Sequence, residues 1–163
     1  MRKIERITEM KSLVIGTLFF CALFFCAECF AFNCRISTTP VNFGTYDVFS
    51  QFVLDSTGTI SVSCNNLEKK PMSIKVTLSA GNSGVFNPRE MRSTSGMDRL
   101  KYYLFSDPAM TTVWGDGTGG SSYVSSVVTR DSTFNVLIYG RVTPGQNVSV
   151  GNYSDVLTAT VLW

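Results

Sequence analysis

Cys34 and Cys64 are two thiols at the margins of strand-like runs, in a chain of 163 residues that has no histidine. Lack of histidine removes the commonest general base and the commonest zinc ligand. The carboxylates of Asp98, Asp107, Asp116, Asp131 and Asp155 are scattered among turn-like segments, with no paired-acid motif between them. The glycine-rich stretch from Gly115 to Gly120 is followed by no helix that could complete a phosphate cradle, and its one carboxylate, Asp116, is too few for a calcium loop. It reads as a hairpin connection. No catalytic residue, metal site or cofactor is expected. The chemistry left to the two cysteines is a disulfide, which requires an oxidising compartment.

The start of the chain supplies that compartment. From Leu13 to Phe25 the sequence is almost wholly apolar, and it closes on Cys29-Phe30-Ala31, a small-x-small pattern of the kind signal peptidase cuts. Residues 1–31 therefore read as a signal peptide, with Met10 an alternative start, and Phe32 as the mature N-terminus. The apolar run of about 13 residues is short of the roughly 20 that a helix needs to cross a bilayer, and no later stretch reaches that length. Cleavage after Ala31 removes Cys21, Cys26 and Cys29. Two cysteines remain, and pairing Cys34 with Cys64 closes a loop of about 30 residues, a constraint of about 3–4 kcal/mol in the chain-entropy model. Residues 32–163 suffice for one domain. Removing the leader's four basic and three acidic residues from 14 and 12 leaves ten against nine, so no basic stripe marks a nucleic-acid partner.

Alternation runs through the remaining chain, and helical periodicity is nearly absent. Ile60, Val62 and Cys64 face one way in Thr59–Cys64. Ile74, Val76 and Leu78 do so in Ser73–Ala80, Leu100, Tyr102 and Leu104 in Arg99–Phe105, and Phe134, Val136 and Ile138 in Thr133–Val142. A last strand is expected over Tyr153–Trp163, apolar on both faces. Turn residues at Asp55–Gly58, Ala80–Gly84, Gly115–Gly120 and Thr143–Asn147 punctuate these runs, which predicts an all-β sandwich. Asn147-Val148-Ser149 and Asn152-Tyr153-Ser154 match glycosylation sequons but read as turn residues. Lys69-Lys70 reads as a solvated loop, and the cluster Arg89, Arg92 and Arg99 as solvated surface, with pairing to acids or contact with a partner as its alternative.

The ordered blocks Cys34-Arg35-Ile36-Ser37, Val41–Asp47, Gly58–Cys64, Leu100–Asp107, Trp114–Thr118, Tyr139–Gln146 and Tyr153–Leu157 resemble the spore coat protein U family. That family includes the pilins of Csu-type, archaic chaperone–usher pili. The resemblance implies an incomplete immunoglobulin-like, Greek-key β-sandwich. Such a subunit is exported through the periplasm, capped by a chaperone, passed through an outer-membrane usher and joined to other pilin subunits. An incomplete sandwich exposes an apolar groove and an unpaired edge, which a donated strand covers. The groove is expected beside the C-terminal strand, at Val156, Leu157, Ala159, Val161, Leu162 and Trp163.

One departure from the family bears on role. A polymerising pilin carries a donor strand ahead of its first cysteine, whereas cleavage after Ala31 leaves only Phe32 and Asn33, about 7 Å of extended chain against the roughly 30 Å of a ten-residue strand. Such a subunit accepts a strand without giving one, as at a pilus tip, although tip subunits of this family are similar to two sandwiches in tandem. Cleavage after Ala22 would restore about 11 residues, with Cys26 and Cys29 among them. The alternative function is a secreted module that binds a surface or a glycan, through Trp114, Asp116 and Tyr123 on the glycine-rich loop, with Phe49, Phe52, Val53 and Leu54 as a second apolar patch.

Overall fold

The computed structural model describes residues 33–65, 70–129 and 132–163. The expected signal peptide lies outside the described residues. Among the described residues nine strands follow one another: β1 (Asn33–Thr39), β2 (Leu54–Asn65), β3 (Met72–Leu78), β4 (Arg89–Ser93), β5 (Arg99–Phe105), β6 (Val124–Val128), β7 (Ser132–Val142), β8 (Tyr153–Ser154) and β9 (Ala159–Leu162). They form a six-stranded sheet in the order β1-β2-β7-β5-β4-β8 and a three-stranded sheet in the order β6-β3-β9. All the strand pairs are antiparallel.

Period-2 alternation decides which side chains enter the space between the sheets, because successive residues of a strand point to opposite faces. Ile60, Val62 and Cys64 from β2, Leu100, Tyr102 and Leu104 from β5, and Val136 and Ile138 from β7 meet Ile74, Val76 and Leu78 from β3 in one core. These are the faces that the alternation predicts. Cys34 and Cys64 stand directly opposite each other on β1 and β2, and a disulfide joins them with their Cα atoms 4.0 Å apart. It ties the margin strand of the large sheet to its neighbour.

Two expectations from turn chemistry are corrected. Asp55–Gly58 is no turn; it lies inside β2. Gly58 serves a close approach instead: a Cβ there would sit 2.8 Å from the Thr39 carbonyl oxygen and 2.9 Å from Cγ2 of Val41. Gly140 on β7 does the same, since its Cβ would come within 2.7 Å of Val41 and 2.8 Å of Phe43. Two adjacent bare backbones let the chain after β1 lie against the sheet. The second correction concerns the C-terminal segment, where the continuous strand expected over Tyr153–Trp163 divides into β8 on the large sheet and β9 on the small one. The chain changes sheets between them, so its hydrogen-bond partners change from β4 to β3.

The arginine cluster is also corrected in part. Arg89 is fully buried, opposite Tyr102, and its guanidinium donates to the carbonyl oxygens of Ser79, Phe86 and Trp114. Burial holds its pKa below the ordinary arginine value, with Tyr102 and Asp155 opposing that shift. A buried charge persists where hydrogen bonds satisfy it, and four to main-chain carbonyls do so here.

Candidate functional site: a groove between two sheet margins

β1 and β9 are the two strands whose outer edges matter most. Among the described strands, β1 pairs with β2 alone and β9 with β3 alone, so each leaves one edge of N–H and C=O groups without a strand partner. Between these margins the sandwich is open, and a groove of about 640 Å³ enters the core. Its first wall runs along Ile36, Thr38, Thr39, Pro40, Val41 and Phe43. Core side chains from both sheets make its floor, among them Ile60, Leu78, Tyr102, Leu104 and Ile138. Tyr153 to Ala159 form the other wall.

The second wall is held by polar contacts at its crossing point. Asp155 accepts hydrogen bonds from the Tyr102 hydroxyl at 2.6 Å and from the Asn82 N–H at 2.9 Å. Thr158 is fixed to Ser79, whose N–H donates to its carbonyl and whose hydroxyl accepts from its N–H, both at 2.9 Å. Burial raises the Tyr102 pKa well above the usual phenol value, and the hydrogen bond and charge of Asp155 raise it further. Tyr102 therefore stays a neutral donor at any physiological pH.

Of the residues expected from sequence to form this groove, Val156, Leu157 and Ala159 line it. Val156 stands at its rim, 82% exposed. Val161 packs on the core beyond the groove, while Leu162 and Trp163 are exposed and do not line it. The opposite wall was not assigned from sequence. Its signal was present in the block Val41–Asp47, whose apolar Val41 and Phe43 face the two bare glycines.

The expected loop site does not assemble. Trp114 is completely buried: its indole N–H donates to the Val76 carbonyl at 3.1 Å, and its backbone N–H to that of Leu104 at 2.9 Å. Tied to β3 by its side chain and to β5 by its backbone, the buried indole has no face left for a ligand. Asp116 is occupied in its own turn, accepting from the N–H and hydroxyl of Thr118 at 2.8 and 2.6 Å. The Tyr123 ring lies under the Lys75 ammonium, 4.8 Å from it. Among the described residues no cluster of three or more Cys, Asp or Glu side chains could hold a metal ion, and no helix is long and apolar enough to cross a membrane.

A sandwich with a disulfide-tied first strand and an open seam beside its last is an architecture that comparison with known proteins can test. The family model described as the Spore Coat Protein U domain matches residues 21–160. The chain belongs to that family. Protein U of Myxococcus xanthus is 33% identical over 129 residues, which cover 74% of this chain and 70% of that protein. Among solved structures, a chain of the CsuC–CsuE chaperone–tip adhesion subunit pre-assembly complex, from the archaic chaperone–usher Csu pili of Acinetobacter baumannii, superposes with a TM-score of 0.56 at 24% identity, over 82% of this chain and 40% of that one. A chaperone–tip adhesin complex of CFA/I fimbriae biogenesis gives a TM-score of 0.50 at 10% identity, over 79% of this chain and 42% of that one. This chain thus spans about two fifths of the length of each solved chain, and the likeness is one of fold.

Proposed function

We propose that this protein is an exported pilus or coat subunit whose groove receives a β-strand from another polypeptide. The observation that carries this reading is the pair of unpartnered margins, β1 and β9, on either side of an apolar groove that opens into the core. An extended segment laid there would offer main-chain hydrogen bonds to one or both margins, and its alternate side chains would fill the groove. From Ile36 to Phe43 the first wall is eight residues long, so at ~3.3 Å per residue the accepted strand covers about 26 Å at most. A periplasmic chaperone lends the strand first, an outer-membrane usher receives the subunit, and a neighbouring subunit replaces the chaperone. Processing after Ala31 would make it an acceptor only, suited to a tip, whereas processing after Ala22 would leave a segment long enough to donate. N-terminal sequencing of the exported protein distinguishes the two.

Production in a periplasm with and without a pilus chaperone tests the groove. The expected result is a stable one-to-one complex with the chaperone and aggregation or degradation without it. A stable monomer alone, with the backbone amides of β1 and β9 on their outer edges protected from hydrogen exchange, would sink the proposal.

A second reading, binding to a surface, is favoured by one observation. Phe49 and Phe52 are 87% and 83% exposed on the loop before β2, and Met97 and Val150 are almost wholly exposed on two further loops. All three loops lie at one end of the sandwich, because the strand pairings place the start of β2, the start of β5 and the end of β7 together. Asp98 and Ser149 tie two of the loops together, and Tyr46 fixes the base of the third to Thr143 and Gln146. Retention of purified subunit on alkylated against hydroxylated beads, with Phe49→Ser/Phe52→Ser as the variant, tests this reading. Equal retention of both proteins would overturn it.

A further inference from the structure

Arg92 and Arg99 stand directly opposite each other on β4 and β5, both exposed on the outer face of the large sheet. Neither makes an ion pair with a described residue; Arg92 donates one hydrogen bond, at 3.2 Å, to the Asn82 carbonyl. Lys101 lies on the same face, two residues along β5, with Glu90 directly opposite it on β4, so the uncompensated pair is Arg92 and Arg99. Like charges directly opposite in a sheet repel and oppose folding. The same sheet neutralises an arginine elsewhere: Asp55 stands opposite Arg141 and holds its guanidinium through two hydrogen bonds of 2.7 Å.

We propose that this face binds an acidic polysaccharide, with Arg92 and Arg99 receiving the carboxylates of successive uronic acid residues. Guanidinium groups present planar forks that match carboxylates, and two side by side are held together by an anion placed between them. The surface that continues the strip favours sugar rings over an acidic peptide. Tyr103 follows Lys101 on the outer face and is half-buried, stacked on the buried Phe105 with ring centres 6.2 Å apart and planes within 11°, and the half-buried Tyr139 is the register partner of Phe105, so Tyr103 and Tyr139 are the rings within reach of a ligand. Aromatic side chains beside cationic ones offer apolar faces to pyranose rings and charge to their carboxylates. The strip lies on the solvent side of the large sheet, whereas the groove opens between the sheets, so an occupied groove leaves it accessible.

The test uses the full exported chain, with whatever strand occupies its groove, and measures binding to polygalacturonate, dextran sulfate, neutral dextran and anionic phospholipid vesicles at physiological salt. Arg99→Glu and Tyr103→Ala are the variants, and Arg35→Glu, on the distant strand β1, controls for net charge. Polygalacturonate is expected to bind more tightly than dextran sulfate, and Arg99→Glu to weaken it by about tenfold or more, the scale of losing a charge-assisted contact. Arg35→Glu is expected to leave it unchanged. Arg99→Glu turns a like-charge pair into an opposite one, so its thermal midpoint is expected to hold or rise, which separates lost binding from lost folding. Tighter binding to dextran sulfate or to vesicles, an equal loss in Arg35→Glu, or no binding to polygalacturonate would each overturn the proposal.

Discussion

The Tyr102 hydroxyl donates a 2.6 Å hydrogen bond to the Asp155 carboxylate, joining the floor of the groove to the point where the C-terminal chain leaves one sheet for the other. Tyr102→Phe deletes that donor and keeps the ring. A hydrogen bond to a charged acceptor contributes about 1.5–3 kcal/mol, and Asp155 retains the Asn82 N–H, so the expected loss lies toward the lower end. Chemical denaturation of the chaperone-bound or strand-complemented protein measures it.

The same bond sets an alkaline limit. Burial, then Asp155, raises the folded-state pKa of Tyr102 above that of the unfolded chain, so the folded state keeps a proton that the unfolded state releases. The stabilisation is complete below the unfolded value of about 10 and declines as pH rises above it. Denaturation at a series of pH values from 8 to 11 is expected to show stability falling over the upper part of that range, with a shallower fall in Tyr102→Phe. Parallel curves for the two proteins would mean that Tyr102 is not the group responsible.

The sequence made the inward faces of β2, β3, β5 and β7 readable because each strand has one buried face, and alternation records burial. It did not reveal the break between β8 and β9. Leu157, Ala159 and Val161 remain partly buried against the core across the change of sheet, so the period of two continues while the hydrogen-bond partner changes. Side-chain alternation carries no information about which neighbour the backbone pairs with. Val156, Leu157 and Ala159, named from the sequence, lie along the C-terminal wall, while the first wall, made half by β1 and half by the chain after it, was not named. Trp114 was misplaced for a related reason: glycines at 115, 117, 119 and 120 mark a loop, and the loop's first residue points inward.

Gly58 and Gly140 are expected to resist substitution because of the wall they support. A side chain at either position collides with Val41, and at Gly140 with Phe43 as well. Gly140→Val should cost about 1–3 kcal/mol as overpacking and displace Val41–Phe43 from the groove. Binding of a chaperone-derived strand peptide, measured by calorimetry, is expected to weaken more than it does for a substitution at exposed Gly145.

Opening the Cys34–Cys64 disulfide is expected to act on the same wall from its other end. Replacing both cysteines by serine removes a constraint on a loop of about 30 residues, about 3–4 kcal/mol in the chain-entropy model. β1 has β2 as its one strand partner, so hydrogen exchange should rise first in residues 33–39. Uniform acceleration across all strands would instead indicate that β1 opens only with the whole sandwich.

Asp98 gives the loop end of the sandwich its acid sensitivity. Hydrogen bonds from Ser149, by side chain and by backbone N–H, hold its carboxyl below the ordinary aspartate value and fasten the loop after β4 to the loop after β7. For a group with a depressed folded-state pKa, the stabilisation is present above the unfolded value and is lost as pH falls through the folded one. The Ser149 amide should therefore be protected from exchange near neutral pH, and that protection should decline below about pH 4, where unperturbed aspartates protonate. Asp98→Asn keeps an acceptor but removes the charge, and its Ser149 amide should exchange at a rate that follows only the intrinsic chemistry of exchange across this range. If wild type and Asp98→Asn instead lose protection together, the two loops are held by the Thr94 N–H to Asn152 carbonyl bond at 2.9 Å rather than by this carboxylate.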